Sequence, residues 1–109
     1  MGTDVDKVAE IKALVRAGQY RIGLHAIRHM TEEGFDEGLL LEAIDGKLRV
    51  LEEYLAESRY LLLGYFQFTT GASSPLHVVC DLSRPGVVGI VTAYVPQRPW
   101  WVSPARRRR

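Results

Sequence analysis

The chain has 109 residues, of which 47% are hydrophobic and 25% are charged, and its formal net charge is +1. These values are typical of one compact domain with a buried core, and no apolar run approaches the roughly 20 residues of a membrane span. Four of the fourteen basic residues form the C-terminal run Arg106–Arg109, so the rest of the chain carries ten bases against thirteen acids. This acidic body excludes a nucleic-acid-binding surface that is basic all over.

Two features bear on the cellular location. The N-terminal residues Met1–Asp6 are acidic and no apolar stretch follows them, which indicates that there is no secretory signal. The single cysteine, Cys80, cannot form an internal disulfide, which is compatible with a reducing compartment. We therefore expect a cytoplasmic protein in which Cys80 is a small buried hydrophobic residue.

Capping residues and glycine stops delimit three helices in the first half of the chain. In chain order, the predicted segments are a helix from Asp4 to about Ala17 stopped by Gly18, an extended connector over Gln19–Ile22, a helix from Leu24 or His25 to Gly34, and a helix capped by Asp36 and stopped by Gly46.

From residue 48 onward, β-branched, aromatic and leucine residues alternate with turn signals, which predicts strands. The strands are expected at about Leu48–Leu55, Tyr60–Thr69, Leu76–Leu82 and Val87–Tyr94, separated by Glu57–Arg59, Gly71–Pro75 and Ser83–Gly86. Such short connections favour an antiparallel meander. The sequence therefore predicts an α+β fold with about three N-terminal helices packed on a four-stranded antiparallel sheet. We expect a single domain with its core in about residues 4–96 and a C-terminal extension over 97–109.

Alternation along the strands predicts two different sheet faces. The apolar face is expected to contain Leu62, Phe66, Phe68, Leu76, Val78, Cys80, Val91 and Ala93. The opposite face is expected to contain the polar residues Tyr65, Gln67, His77, Thr92 and Tyr94, mixed with Leu63, Val79 and Ile90. His77, Thr92 and Tyr94 then converge on the less hydrophobic face, where a substrate would bind.

The three histidines are the best candidates for chemistry, because imidazole titrates near neutral pH and is a common metal ligand. His25 and His29 share a helix face, and a pair at this spacing can chelate zinc if a third ligand is present. No further metal-binding motif accompanies them, so we predict no metal and no cofactor. Structural roles remain open for His25 as a hydrogen-bonded helix residue, and for His77 as a satisfied core residue.

Four separated motifs carry a resemblance to a known family. They are His25-Ala26-x-x-His29-Met30, Glu32-Glu33-Gly34-Phe35, Leu76-His77-Val78-Val79 and Thr92-Ala93-Tyr94-x-Pro96. In this order they resemble the bacterial and archaeal domain-of-unknown-function family four-two-five-eight, whose pattern is His-Ala-x-x-Arg-Met, Glu-Arg-Gly-Ile, Leu-His-Val-Val and Thr-x-Tyr-x-Pro. The resemblance covers about Gln19–Pro96. More distantly, the chain is similar to RelE-like toxins.

The resemblance implies a RelE-like fold and a metal-independent endoribonuclease of the toxin type. Such an enzyme removes the proton from a ribose 2′-hydroxyl, which attacks the adjacent phosphate, and it protonates the leaving 5′-oxygen. The implied catalytic residues are His25 and His77 as the acid–base pair together with Tyr94; the implied substrate-binding residues are Arg28, His29, Arg59 and Thr92. The chain departs from the family pattern at His29 and Glu33, where the family has arginine, so a phosphate would have two fewer cations.

The alternative interpretation is a non-catalytic interaction module with the same fold. The adjacent residues Trp100 and Trp101 could stack on a nucleobase, or could pack on a sheet edge and form a partner interface. By the resemblance, the partner would be RNA or an antitoxin-like protein. The Arg106–Arg109 tail could hold phosphates or be a solvated end.

Overall fold

The computed structural model describes residues 3–96, 101–103 and 106–107. The elements in chain order are α1 (Thr3–Arg16), β1 (Tyr20–Ile22), α2 (Leu24–Glu33), α3 (Glu37–Asp45), β2 (Arg49–Tyr54), a 3-10 turn (Leu55–Glu57), β3 (Arg59–Thr69), β4 (Ala72–Asp81), β5 (Val88–Tyr94), β6 (Trp101–Ser103) and β7 (Arg106–Arg107). The predicted α+β class is confirmed. No helix among the described residues is long and apolar enough to cross a membrane.

The three predicted helices are present, and their ends follow the expected chemistry. Gly18 and Gly34 have φ angles of 75° and 79°, the left-handed conformation that glycine adopts most readily at a helix C-terminus. Asp36 caps α3, because its side chain accepts a hydrogen bond of 3.0 Å from the Leu39 backbone N–H. The predicted start of α1 is wrong: the helix begins at Thr3, so Asp4 lies inside it.

The main sheet has five strands, not four, in the order β1-β5-β4-β3-β2. Strands β2 to β5 form the predicted antiparallel meander. The segment predicted as a connector forms β1, which pairs in parallel with β5 from Tyr20 opposite Val88 to Ile22 opposite Ile90. The sheet is therefore mixed. Strands β6 and β7 pair with each other as a second, two-stranded antiparallel sheet.

The connection between β3 and β4 is shorter than predicted, because Ala72–Pro75 belongs to β4 and pairs with β3. Proline has no N–H to donate to a neighbouring strand. Pro75 is accommodated here because the pairing of β4 with β5 begins further along, at His77 opposite Tyr94. The residue predicted to end the turn, Arg59, likewise lies in β3.

The core lies between the helices and one face of the sheet. From the strands it contains Tyr60, Leu62, Phe66, Leu76, Val78, Cys80, Val88, Ile90 and Ala93; from the helices and their connections it contains Ile11, Ala26, Met30, Phe35, Leu40, Ala43 and Ile44. This agrees with most of the predicted apolar face. The Phe68 side chain lies outside the described part of the chain.

One prediction about this face is wrong: Ile90, not Val91, faces the core. Thr92 pairs with Val79, and the next pair along the ladder is Ile90 with Cys80. Val91 is therefore the extra residue of a β-bulge, which reverses the alternation on β5 beyond it. Ile90 is 1% exposed as a result.

Candidate functional site

The predicted site residues of α2 lie on one side of that helix. Ala26 and Met30 are buried in the core. His25, His29 and Glu33 are spaced at four-residue intervals, so they form a neighbouring stripe along the same helix. The rings of His25 and His29 are in edge-to-face contact, with centroids 4.7 Å apart. His25 is exposed, whereas the side chain of His29 is 32% exposed.

A carboxylate that the sequence analysis did not assign to the site joins this stripe to the sheet. Glu33 Oε1 accepts a hydrogen bond of 2.6 Å from the Val95 backbone N–H, just after β5 ends. Its other oxygen, Oε2, lies 3.5 Å from His29 Nδ1. Glu33 therefore fixes α2 against the end of β5 and orients the His29 ring. The spacing of four residues from His29 was the available sequence signal.

Two further rings come from the face of the sheet opposite the helices. His77 and Tyr94 are directly opposite each other on β4 and β5. The Tyr94 hydroxyl and His77 Nδ1 share a hydrogen bond of 3.2 Å, whose direction follows the tautomer of His77. The two ring centroids are 5.2 Å apart. His77 is completely buried.

Tyr94 connects the two groups of side chains, because its ring centroid lies 6.3 Å from that of His29. The four rings thus form a continuous line, His25–His29–Tyr94–His77, which we call the ring row. Among the described residues, no ring contact joins His25 directly to His77. The structure therefore brings all three histidines into one site but places two other rings between the predicted acid and base.

The remaining predicted residues divide into two groups. Arg28 is an exposed residue of α2, between His25 and His29 in the chain. Thr92 shares a sheet face with Tyr94, and its buried hydroxyl oxygen has no hydrogen-bond partner among the described residues. Arg59 lies away from the His77–Tyr94 pair: it forms an ion pair with Asp81 at 3.0 Å, about 13 Å along β3 from Leu63, the residue opposite His77.

The predicted partner interface cannot be placed. Trp100 lies outside the described residues, and Trp101 is described only as the first backbone position of β6. The basic tail is described only where Arg106 and Arg107 form β7.

Metal binding was the other open interpretation of the His25–His29 pair. The part of the chain that the structure describes contains no group of three or more His, Cys, Asp or Glu side chains that could hold a metal ion. Cys80 belongs to the core, where burial raises the pKa of its thiol to about 12. This thiol is therefore no candidate for a metal ligand or a nucleophile.

Comparisons with protein-family models, with curated proteins and with solved structures found no match. The functional argument therefore depends on the geometry of the ring row and its surroundings.

Proposed function

We propose that the protein is a small RelE-like endoribonuclease of the toxin type that acts without a metal ion. The observation that supports this proposal is the ring row, in which two accessible imidazoles lie side by side and a buried imidazole contacts the hydroxyl of Tyr94. Imidazole can accept or donate a proton near neutral pH, and each well-placed acid or base contributes about 10²–10⁴-fold to the rate.

The burial of His77 changes the roles that the resemblance implied. A completely buried ring cannot reach a ribose or a leaving group in a folded protein. We therefore assign the base to His29, because the Glu33 carboxylate lies 3.5 Å from its Nδ1 and orients the ring. His25, which is exposed beside it, is assigned the acid. His77 becomes a positioning residue that acts through Tyr94.

In the proposed reaction, His29 removes the proton of a ribose 2′-hydroxyl and the 2′-oxygen bonds to the neighbouring phosphorus. The bond from phosphorus to the 5′-oxygen breaks, and His25 gives that oxygen a proton. The products are a 2′,3′-cyclic phosphate and a 5′-hydroxyl. Arg28 and the Tyr94 hydroxyl would stabilise the phosphate oxygens. The hydroxyl of Thr92, which has no partner in the described part of the chain, is a further polar group on the same sheet face.

The decisive experiment is cleavage of a mixed-sequence RNA oligonucleotide in the presence of a chelator. We expect cyclic phosphate ends, no cleavage of the 2′-deoxy version, and a loss of kcat of about 10²–10⁴-fold for His25→Asn and His29→Asn. Cleavage that the chelator abolishes, or that survives both substitutions, would contradict the proposal. Absence of cleavage with every RNA tested would contradict it as well.

The role of His77 has its own test. If His77 acts through Tyr94, the double variant H77N/Y94F loses no more activity than Tyr94→Phe alone. Additive losses would show that His77 has a separate role. Circular dichroism of each variant checks that the fold is retained, since His77 is buried.

The second candidate function is an interaction module without catalysis, which docks a protein partner of the antitoxin type. The observation that favours it is the exposure of Leu24 (84%) and Ile27 (45%) on α2, beside the ring row. Neighbouring apolar side chains exposed on one helix can form a patch of the kind that marks a partner interface. Under this hypothesis, Leu24→Ser and Ile27→Ser abolish partner binding, whereas His29→Asn changes neither binding nor any RNA cleavage.

A further inference from the structure

A cavity of about 530 Å³ lies next to the ring row and shares His25 with it. Its other walls come from β1, from the loop between β4 and β5, and from β5 itself. The residues on which the argument depends are Arg21, Asp81, Ser83, Arg84, Gly89 and Val91. The sequence analysis placed Val91 in the core and assigned no functional role to the other five residues.

The cavity carries positive charge that the described protein does not neutralise. Of the arginines described, Arg16 and Arg59 form ion pairs with aspartates, whereas Arg21 and Arg84 form none. Both of these side chains belong to exposed residues at the rim of the cavity. Two guanidinium groups facing one cavity favour an anionic ligand with several acceptor oxygens.

Of the described residues that line the cavity, Asp81 is the one carboxylate, and its charge is already compensated. Its Oδ1 accepts hydrogen bonds from the Ser83 N–H at 2.8 Å and the Ser83 hydroxyl at 2.5 Å, and its Oδ2 accepts one of 3.0 Å from Arg59 Nε. These bonds, with those from Ser83 largest, hold the pKa of Asp81 below its usual value. Asp81 is therefore unavailable to neutralise Arg21 or Arg84.

The floor of the cavity is Gly89, and the absence of a side chain there keeps the space open. Gly89 lies between Arg21 on β1 and Asp81 on β4, its direct partners in the sheet. A Cβ on Gly89 would lie 3.6 Å from Asp81 Cβ, which is ordinary van der Waals contact. Packing therefore does not require glycine at this position, and a larger residue would fill the cavity without a clash at its Cβ.

The volume and the lining indicate the ligand. A cavity of this size is within the range of small-molecule sites, and its apolar wall includes Leu24 and Val91. We propose that it binds one nucleotide of the RNA next to the cleaved bond, with a phosphate held between Arg21 and Arg84 and the base on the apolar wall. This inference rests on the proposed function, because His25 is the residue that joins the cavity to the ring row.

The test measures binding separately from cleavage. Fluorescence anisotropy with a labelled 2′-O-methyl RNA of mixed sequence reports binding without reaction, because the attacking hydroxyl is blocked. Nucleoside monophosphates and inorganic phosphate are titrated as competitors. We expect the monophosphates to compete more strongly than phosphate alone, because only they contact the apolar wall.

Three variants and one control make the test specific to this cavity. Gly89→Val should weaken binding at least about tenfold by filling the floor, and Arg21→Gln and Arg84→Gln should each weaken it by about tenfold. The control is Arg49→Gln on β2, an exposed arginine on the opposite edge strand of the sheet. It should change affinity less than about twofold, the contribution of a distant surface charge.

Several outcomes would overturn the inference. Wild-type affinity in the folded Gly89→Val variant would exclude the cavity, and if that variant fails to fold, the two arginine variants decide the question. An equal loss for Arg49→Gln would show a general charge effect. Competition by inorganic phosphate as strong as that by the monophosphates would exclude a nucleotide.

Binding and cleavage failures can be told apart. His29→Asn should lose cleavage and keep its affinity for the 2′-O-methyl RNA. If wild type binds this RNA through the cavity but cleaves no RNA, the proposed enzyme is wrong and the binding site stands. If RNA is cleaved with the same KM in wild type and in Gly89→Val, the nucleotide site is wrong and the enzyme stands.

Discussion

Gly64 of β3 lies directly against α3, and replacing it with alanine probes how closely these two elements pack. A Cβ at this position would lie 2.6 Å from the Ala43 carbonyl oxygen, 3.1 Å from the Ala43 carbonyl carbon and 3.2 Å from Leu48 Cδ1. The first two are backbone atoms, which no change of rotamer can move away. Relief of the clash therefore requires a shift of α3 relative to the sheet.

The cost follows from what such a shift disturbs. The α3 side chains of Leu40, Ala43 and Ile44 are all 0% exposed, and overpacking at a site of this kind costs about 1–3 kcal/mol. Alanine restricts the unfolded chain more than glycine does, which offsets about 0.5 kcal/mol. For a domain of this length, each kcal/mol lowers the Tm by about 4 °C. We expect the Tm of Gly64→Ala to fall by about 2–10 °C, a loss of about 0.5–2.5 kcal/mol.

Thermal unfolding followed by circular dichroism measures this difference, with Gly89→Ala as the matched control. Both glycines lie in strands of the same sheet, but a Cβ at Gly89 meets its nearest neighbour at 3.6 Å. The control should therefore melt within about 2 °C of wild type, since only backbone entropy and strand preference change. Equal melting temperatures for the two variants would refute the close approach of α3 to β3.

Three other predictions concern caps and titrating groups. Asp36→Ala should destabilise the fold by about 1 kcal/mol in urea denaturation, whereas Asp36→Asn keeps the capping oxygen and should lose less. Burial raises the pKa of the Cys80 thiol to about 12. In the native protein at about pH 8, Cys80 should therefore react with a thiol reagent only as fast as the protein unfolds. It should react rapidly in denaturing guanidinium chloride, and fast labelling of the native state would contradict its burial. Because bonds from Ser83 and Arg59 lower the pKa of Asp81, its ionised form stabilises the fold above about pH 4. Asp81→Asn should therefore be less stable than wild type by about 1 kcal/mol at neutral pH. This difference in stability should narrow as the pH falls through the lowered pKa of Asp81. If the difference persists in acid, its cause is packing and not charge.

The helices and the meander could be predicted because their signals are local. Asp36, Gly34 and Gly18 act on neighbouring backbone groups, and the β-branched runs mark the strands. The strand β1 could not be predicted, because three residues carry little periodicity and its partner β5 is distant in the chain. The bulge at Val91 could not be predicted either, because an extra residue in one strand is defined only by its pairing with the neighbouring strand.

Part of the candidate site could be predicted because some of its signals are local, and part could not because it depends on contacts between distant segments. The sequence indicated that His25 and His29 share a helix face, and that His77 and Tyr94 share a sheet face. It could not specify that the two faces meet through His29 and Tyr94, because that contact depends on how α2 lies against β5. The complete burial of His77 and the opening of a cavity over Gly89 also depend on packing between distant segments.

The parallel pairing of β1 with β5 has a consequence for the order of events during synthesis. Tyr20 leaves the ribosome early, but Val88, its partner in the sheet, is among the last of the described residues to appear. Pairing over such a separation carries a large loop-closure cost and forms late. The sheet and the ring row can therefore be completed only after the whole of β5, up to Tyr94, has been synthesised. The RNA cleavage that we propose for the ring row is therefore absent while the segments before β5 are being made.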